Sequence, residues 1–222
     1  MGRTTTGHNA AGKERPKLIP LTKEEIRKRA VERCREKRIL IPTFAEMRDP
    51  SALDPAVVAA LRGVDEIYHL ASAAGQGRRG SLLKTDIEGT RTLAQVAASA
   101  DIKRLIFLSH LGADRASAFP IQKSKGIAEE HIRRSGVPYT IIRSSIVYGP
   151  EDGFTTDLSQ IIKYSPGFVP IPGDGRTLLQ PLWVEDLVTS LIWTLGNPDT
   201  INQTHEIGGG EYFTLRQIQE TL

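Results

Sequence analysis

The residues best placed to do chemistry stand at the ends of two apolar runs. Ser109-His110 follows RLIFL and Arg143-Ser144 follows YTII, with Lys125 and His131 between them. A serine or an imidazole there can pass a proton, an ammonium can lower a neighbouring pKa, and a guanidinium can hold an anion. The elements that must position these groups follow from local pattern. Leu105 to Ser109 and Tyr139 to Arg143 have the composition of strands, and Pro120 to Ser135 that of a helix. A strand, helix and strand in this order give parallel neighbours in an α/β sheet, where ligands meet the carboxyl ends of the strands. The site is therefore expected at Ser109-His110 and Arg143-Ser144.

The helix can be oriented from its spacing. At about 100° per residue, Ile121, Ala128 and Ile132 share one stripe with Lys125 beside them, and Lys123 points the opposite way. Lys125 is the inward lysine: it either snorkels out to water or reaches a polar site at the sheet edge.

LIFLSHLGA, the KSKGIAEE helix and YTIIRSSIVYGP resemble the core of the extended and atypical short-chain dehydrogenase/reductases. That superfamily includes sugar-nucleotide epimerases, NmrA-like proteins and the nucleotide-binding accessory subunit of respiratory complex I. The resemblance runs from about Met47 to Leu215. It implies an α/β fold, a Rossmann-like parallel sheet flanked by helices, with NAD or NADP as cofactor and a small C-terminal substrate lobe. It also implies catalytic positions at Ser109 and Lys125, and His110 beside Ser109 is a candidate to stand in as proton carrier. Ser109, Lys125 and Ile146 fall on the cofactor side, as do Ala71 and Ser72 in the small-residue turn after the EIYHLA strand.

The family's proton carrier is a tyrosine four residues before the lysine, its phenol acidified by the ammonium. Ile121 stands at that position, or Phe119 if the register is set on Lys123. Either way the phenol is missing while the scaffold remains. The expected function is that of an NAD(P)-binding relative of epimerase/dehydratases or oxidoreductases with weak or no catalysis. A non-catalytic NAD(P) sensor or assembly protein, and a scaffold that binds no dinucleotide, are the alternatives.

The 222 residues suffice for one domain with a real core, or one with a small lobe. No run of about 18 apolar residues is present, so no membrane span is expected. No apolar secretory segment follows Met1, and Cys34 alone offers no internal disulfide, which fits a reducing compartment and a cytoplasmic location. The net charge is +3, with 13 Lys+Arg against 7 Asp+Glu through Pro50, or +6 there and −3 in the rest. Most of the basic excess lies in LTKEEIRKRAVERCREKR, an expected amphipathic helix with a Thr22/Glu25 capping box. Glu24, Glu25, Glu32 and Glu36 interrupt its charged face, so no nucleic-acid partner is expected. The expected partners are a small-molecule substrate or another protein, and a homodimer is consistent with relatives that pair through helices. No metal site is expected.

Residues 1–20 are expected to form a disordered tail, 21–150 the Rossmann-like core, and 151–222 a small substrate lobe partly interleaved with it. In the family the chain begins with a strand and a glycine-rich turn whose amides hold the pyrophosphate. Gly2, Gly7 and Gly12 follow no strand and do not make that motif, so the N-terminal unit is divergent or replaced. RILIPTF is a short strand, after which Glu46 stands where the family places an adenine-contacting acid. Pro55 to Arg62 is an expected helix. Gly75 to Gly80 is a mobile basic loop with Arg78 and Arg79, and Thr85 to Ala98 is a long helix with Ile87, Leu93, Val96 and Ala97 inward. In the lobe, the segment with Gly173, Arg176 and Gln180 is the part expected to meet substrate. Helices are expected at Thr156 to Tyr164 and Val184 to Leu195, a strand at His205 to Ile207, and a last helix capped by Thr214.

Overall fold

A computed structural model describes residues 39–40, 61–74, 76, 80–165, 171, 173–195 and 197–222. Glu46, Cys34, Arg78, Arg79, the expected tail, the amphipathic segment and most of the Pro55 to Arg62 helix lie outside these residues.

The core is a five-stranded parallel sheet: β1 (Ile39–Leu40), β2 (Glu66–His69), β3 (Arg104–His110), β4 (Tyr139–Ser144) and β8 (Gln203–Ile207), side by side in that order. Every neighbouring pair is parallel, with Phe107 opposite Ile141 and Ser109 opposite Arg143. Central parallel strands are covered on both faces, and the side chains of β3 divide accordingly. Leu105 and Phe107 join Leu93, Ala97, Ala128 and Ile132 in one core, while Ile106 joins Tyr68, Ile142, Leu187 and Leu191 in another.

The first core is closed by two helices. A π-wound segment, Leu82–Gly89, capped by Ser81, continues into α1 (Thr90–Ser99), so the helix begins earlier than Thr85. Beside it lies α2 (Pro120–Ser135), which starts on proline and ends at Gly136. Gly126 of α2 touches the loop after β3 so closely that a Cβ would collide with the Asp114–Arg115 backbone. Ala128, Ile132 and Lys125 are buried and Lys123 is exposed, as the phase requires. Ile121 departs from that stripe: it is 39 % exposed, because the first turn of α2 runs ahead of the stretch, from Ser124 on, that packs against the sheet.

The second core is closed by α4 (Val184–Thr194). Between β4 and α4 come β5 (Val147–Tyr148), α3 (Gly153–Tyr164, capped by Asp152), β6 (Leu178–Leu179) and β7 (Leu182–Trp183). β5 and β7 pair in parallel. After β8, β9 (Phe213–Thr214) pairs antiparallel with β6, and α5 (Leu215–Thr221) follows with a Thr214/Gln217 capping box. The expected strand at His205 to Ile207 is thus two residues longer and completes the main sheet.

Candidate functional site

The carboxyl ends of β2, β3 and β4 carry two buried polar clusters, both reaching α2. In the first, the Lys125 ammonium lies 3.1 Å from Asp86 Oδ1, 3.4 Å from the Leu108 carbonyl and 5.0 Å from the centre of the Phe107 ring. Asp86 also accepts from the Ser72 hydroxyl at 2.7 Å and the Ala73 amide at 2.8 Å. The side chains of Lys125 and Asp86 are 8 % and 0 % exposed. Lys125 therefore does not snorkel. Burial holds its ammonium below the ordinary lysine pKa, against the opposing pull of Asp86 and Glu129.

His69 lies in the same interior. Its Nε2 is 2.7 Å from Thr90 Oγ1, its ring tilts onto Phe107, and its Nδ1 has no hydrogen-bond partner. Burial, and secondarily the charge of Lys125, lower its pKa to about 3. The unfolded chain takes up this proton near pH 6.5, whereas the folded protein refuses it until about 3, so stability is intact above 6.5 and falls below it. We expect the loss from this group to reach about 1.4 kcal/mol per pH unit between those limits. Urea unfolding from pH 7 to 4 measures it, and His69→Gln should give a flatter acid limb. Equal slopes in the two proteins would show that His69 is not the group responsible.

The second cluster centres on Glu129, which is fully buried. Its carboxylate accepts from Ser109 Oγ at 2.6 Å, Arg143 Nε and Nη2 at 2.9 Å each, and Arg133 Nη2 at 2.8 Å. Burial pushes its pKa up, but the hydrogen bonds from Arg143, Ser109 and Arg133 outweigh it and leave the carboxyl below its usual range. The same pairing raises the pKa of Arg143. Arg143 also binds the Ala113 carbonyl at 3.1 Å and Glu206 at 3.2 Å, tying the loop after β3 to β4 and β8.

The expected catalytic residues are thus neighbours without forming one reacting group. Ser109 faces Glu129 and Lys125 faces Asp86. His110, next along β3 and so on the opposite face from Ser109, is half-buried with Nδ1 2.8 Å from the Leu111 carbonyl. Ala71 lies in the core. Ala73 sits beneath Gly80, where a Cβ would stand 2.7 Å from the Ala73 carbonyl. Ile146 is half-buried and accepts from the Leu182 amide, joining sheet to lobe.

The three substrate candidates do not converge. Gly173 is exposed at φ +66°, in the left-handed region. Arg176, also exposed, pairs loosely with Asp174 and lines an open depression of about 560 Å³ with Thr214, Arg216 and Gln217. Gln180 does internal work, donating to Gly209 and accepting from Ser145 through its carbonyl. Sequence reasoning passed over Glu129 and His69. Glu129 had one signal: it follows Lys125 by four residues, between Ala128 and Ile132, where an acid needs a partner.

Fold and strand-end residues together define a Rossmann-like domain of the extended short-chain dehydrogenase/reductase type. The chain belongs to the NAD(P)H-binding family, whose model matches residues 23–161. It is 31 % identical over 122 residues to "NADH dehydrogenase [ubiquinone] 1 alpha subcomplex subunit 9, mitochondrial" of Arabidopsis thaliana, covering 54 % of this chain and 30 % of that protein. The Dictyostelium discoideum protein of the same name is 25 % identical over 183 residues, covering 82 % and 49 %. The chain spans less than half the length of each. In structure it resembles MoeE5 in complex with UDP-glucose and NAD, at a TM-score of 0.66 and 19 % identity, covering 87 % of this chain and 76 % of that one. The UDP-glucose 4-epimerase of Thermotoga maritima gives 0.62 and 19 %, covering 88 % and 77 %.

Whether the described residues fit a dinucleotide follows from their partners. Lys125, Ser72 and Ser109 each bind a buried carboxylate, and Ala73 is covered by the chain itself. As placed, engaged with carboxylates, these side chains do not fit the ribose and nicotinamide half of a cofactor.

Proposed function

We propose that this protein is a non-catalytic accessory member of its family, one that holds NAD or NADP without turning it over and works through contact with another protein. The observation that carries this reading is the missing acid. Ile121 and Phe119, 39 % and 69 % exposed, occupy the two phenol positions, and neither has a hydroxyl to pass a proton. Relatives named as subunits of NADH dehydrogenase support a partner of that kind, and a cytoplasmic or organellar location would follow the partner. A second reading, a scaffold that binds no dinucleotide, draws support from the sequence around β1: no glycine stands between Gly12 and Gly63, so no glycine-rich turn follows that strand.

Calorimetric titration with NADH and NADPH separates the two. The first reading expects one of them to bind with a dissociation constant of about 10 to 100 µM, roughly −7 to −5.5 kcal/mol, with the cofactor left unoxidised. Neither Ile121→Tyr nor Phe119→Tyr is expected to create turnover, since Lys125 is held by Asp86. Oxidation of NADH by the unmodified protein would overturn the non-catalytic reading. The absence of heat at millimolar cofactor would leave the scaffold.

A further inference from the structure

We infer that Asp86 is an internal competitor for Lys125, occupying the ammonium that a dinucleotide would otherwise engage. This deepens the reading that the protein holds NAD(P) without turnover, and rests on it. An ammonium has three protons to donate. One meets Asp86 Oδ1, a second reaches the Leu108 carbonyl, and the remaining side of the group is covered by the Phe107 ring. With the Lys125 side chain 8 % exposed, little of the ammonium is left open to a ribose hydroxyl.

Asp86 is itself immobilised. One carboxylate oxygen receives Ser72 and Lys125, and the other receives the Ala73 amide. Turning the carboxylate away would orphan a buried amide and a hydroxyl together, the costly way to break buried hydrogen bonds. A dinucleotide entering at the ends of β2 and β3 would have to break this set of contacts before Lys125 became available. Asp86 thus acts on the cofactor only through Lys125 and is a positioning residue.

Lysine acetylation followed residue by residue by mass spectrometry tests this without any turnover. In the free protein, Lys125 should react at least about tenfold more slowly than exposed Lys123, because reaction requires local opening. Saturating NADH should leave the Lys125 rate unchanged. In Asp86→Asn, which keeps the shape and removes the charge, Lys125 should become reactive, NADH should protect it, and NADH affinity should rise at least about fivefold.

Lys125 reacting as fast as Lys123 in the unmodified protein overturns the inference, as does a folded Asp86→Asn in which Lys125 stays unreactive, or one whose NADH affinity does not rise although the unmodified protein gives measurable heat with NADH. If Asp86→Asn does not fold, the comparison of Lys125 with Lys123 in the unmodified protein decides alone. Failure of the parent reading looks different: the unmodified protein and Asp86→Asn would both give no heat with NADH, while Lys125 remains protected in the former.

Discussion

Glu129→Ala is expected to destabilise the protein by about 4 kcal/mol, the largest effect of any single polar substitution in the described core. The carboxylate receives four hydrogen bonds from three side chains at zero exposure. Removing it takes the bidentate partner from the Arg143 guanidinium, 23 % exposed, which keeps only the Ala113 carbonyl and Glu206, and leaves the buried Ser109 hydroxyl without its acceptor. Truncating one partner of a buried ion pair costs roughly 3 to 5 kcal/mol, chiefly through the charge left behind. Arg133 adds little, since its side chain is 36 % exposed and can turn to water. At 2 to 4 °C per kcal/mol for a domain of this size, the melting temperature should fall by about 10 °C. Glu129→Gln keeps the shape but loses the charge, and should cost about half as much. The carboxylate's lowered pKa adds a pH signature. Its contribution is present above the ordinary carboxylate range and is lost as pH falls through the lower folded value, so the difference between the parent protein and Glu129→Ala should shrink in acid. Urea midpoints at pH 7 and pH 3 measure both effects. A loss under about 1 kcal/mol at pH 7 would mean that Glu206 and the Ala113 carbonyl suffice for Arg143.

The second large effect belongs to Asp86→Ala, with about 3 to 4 kcal/mol lost at neutral pH. Here the stranded group is Lys125, 8 % exposed beside Phe107. Burial already lowers its pKa, and without the opposing pull of Asp86 it should fall further. The sign of the pH dependence follows. The unfolded chain keeps the lysine proton up to about pH 10.5 while the folded variant sheds it earlier, so the variant should regain stability as pH rises toward that value. Adding Lys125→Met should restore much of the loss, because two apolar groups leave no buried charge unmatched. Unfolding of both single variants and the double variant gives the coupling energy directly. Additive losses would show that the 3.1 Å contact carries no net interaction.

The two clusters hold α2 against the carboxyl ends of the strands. Each ties α2 to its neighbours, Lys125 to Asp86 of the π-wound segment and the Leu108 carbonyl of β3, and Glu129 to Ser109 of β3 and Arg143 of β4. The polar groups of both clusters contribute to the packing of the helix.

What the sequence determined by itself is local. β3, α2 and β4 fall within a residue of the bounds that apolar runs and capping signals imply, because strand alternation and helical phase are properties of short stretches. The inward direction of Lys125 was legible for the same reason. Which partner each inward group takes was decided only by tertiary structure. Asp86 meets Lys125 because the π-wound segment packs beside α2, and no spacing in the chain encodes that crossing. Ser109 meets Glu129 because the alternation of β3 aims it at α2, and this cannot be known until α2 is placed over that face. Ile121 shares the helical phase of the core but lies in a first turn that overhangs it, so phase alone could not bury it. The residues after Pro150 divide between lobe and sheet because β8 returns to pair with β4, a long-range contact invisible to local pattern.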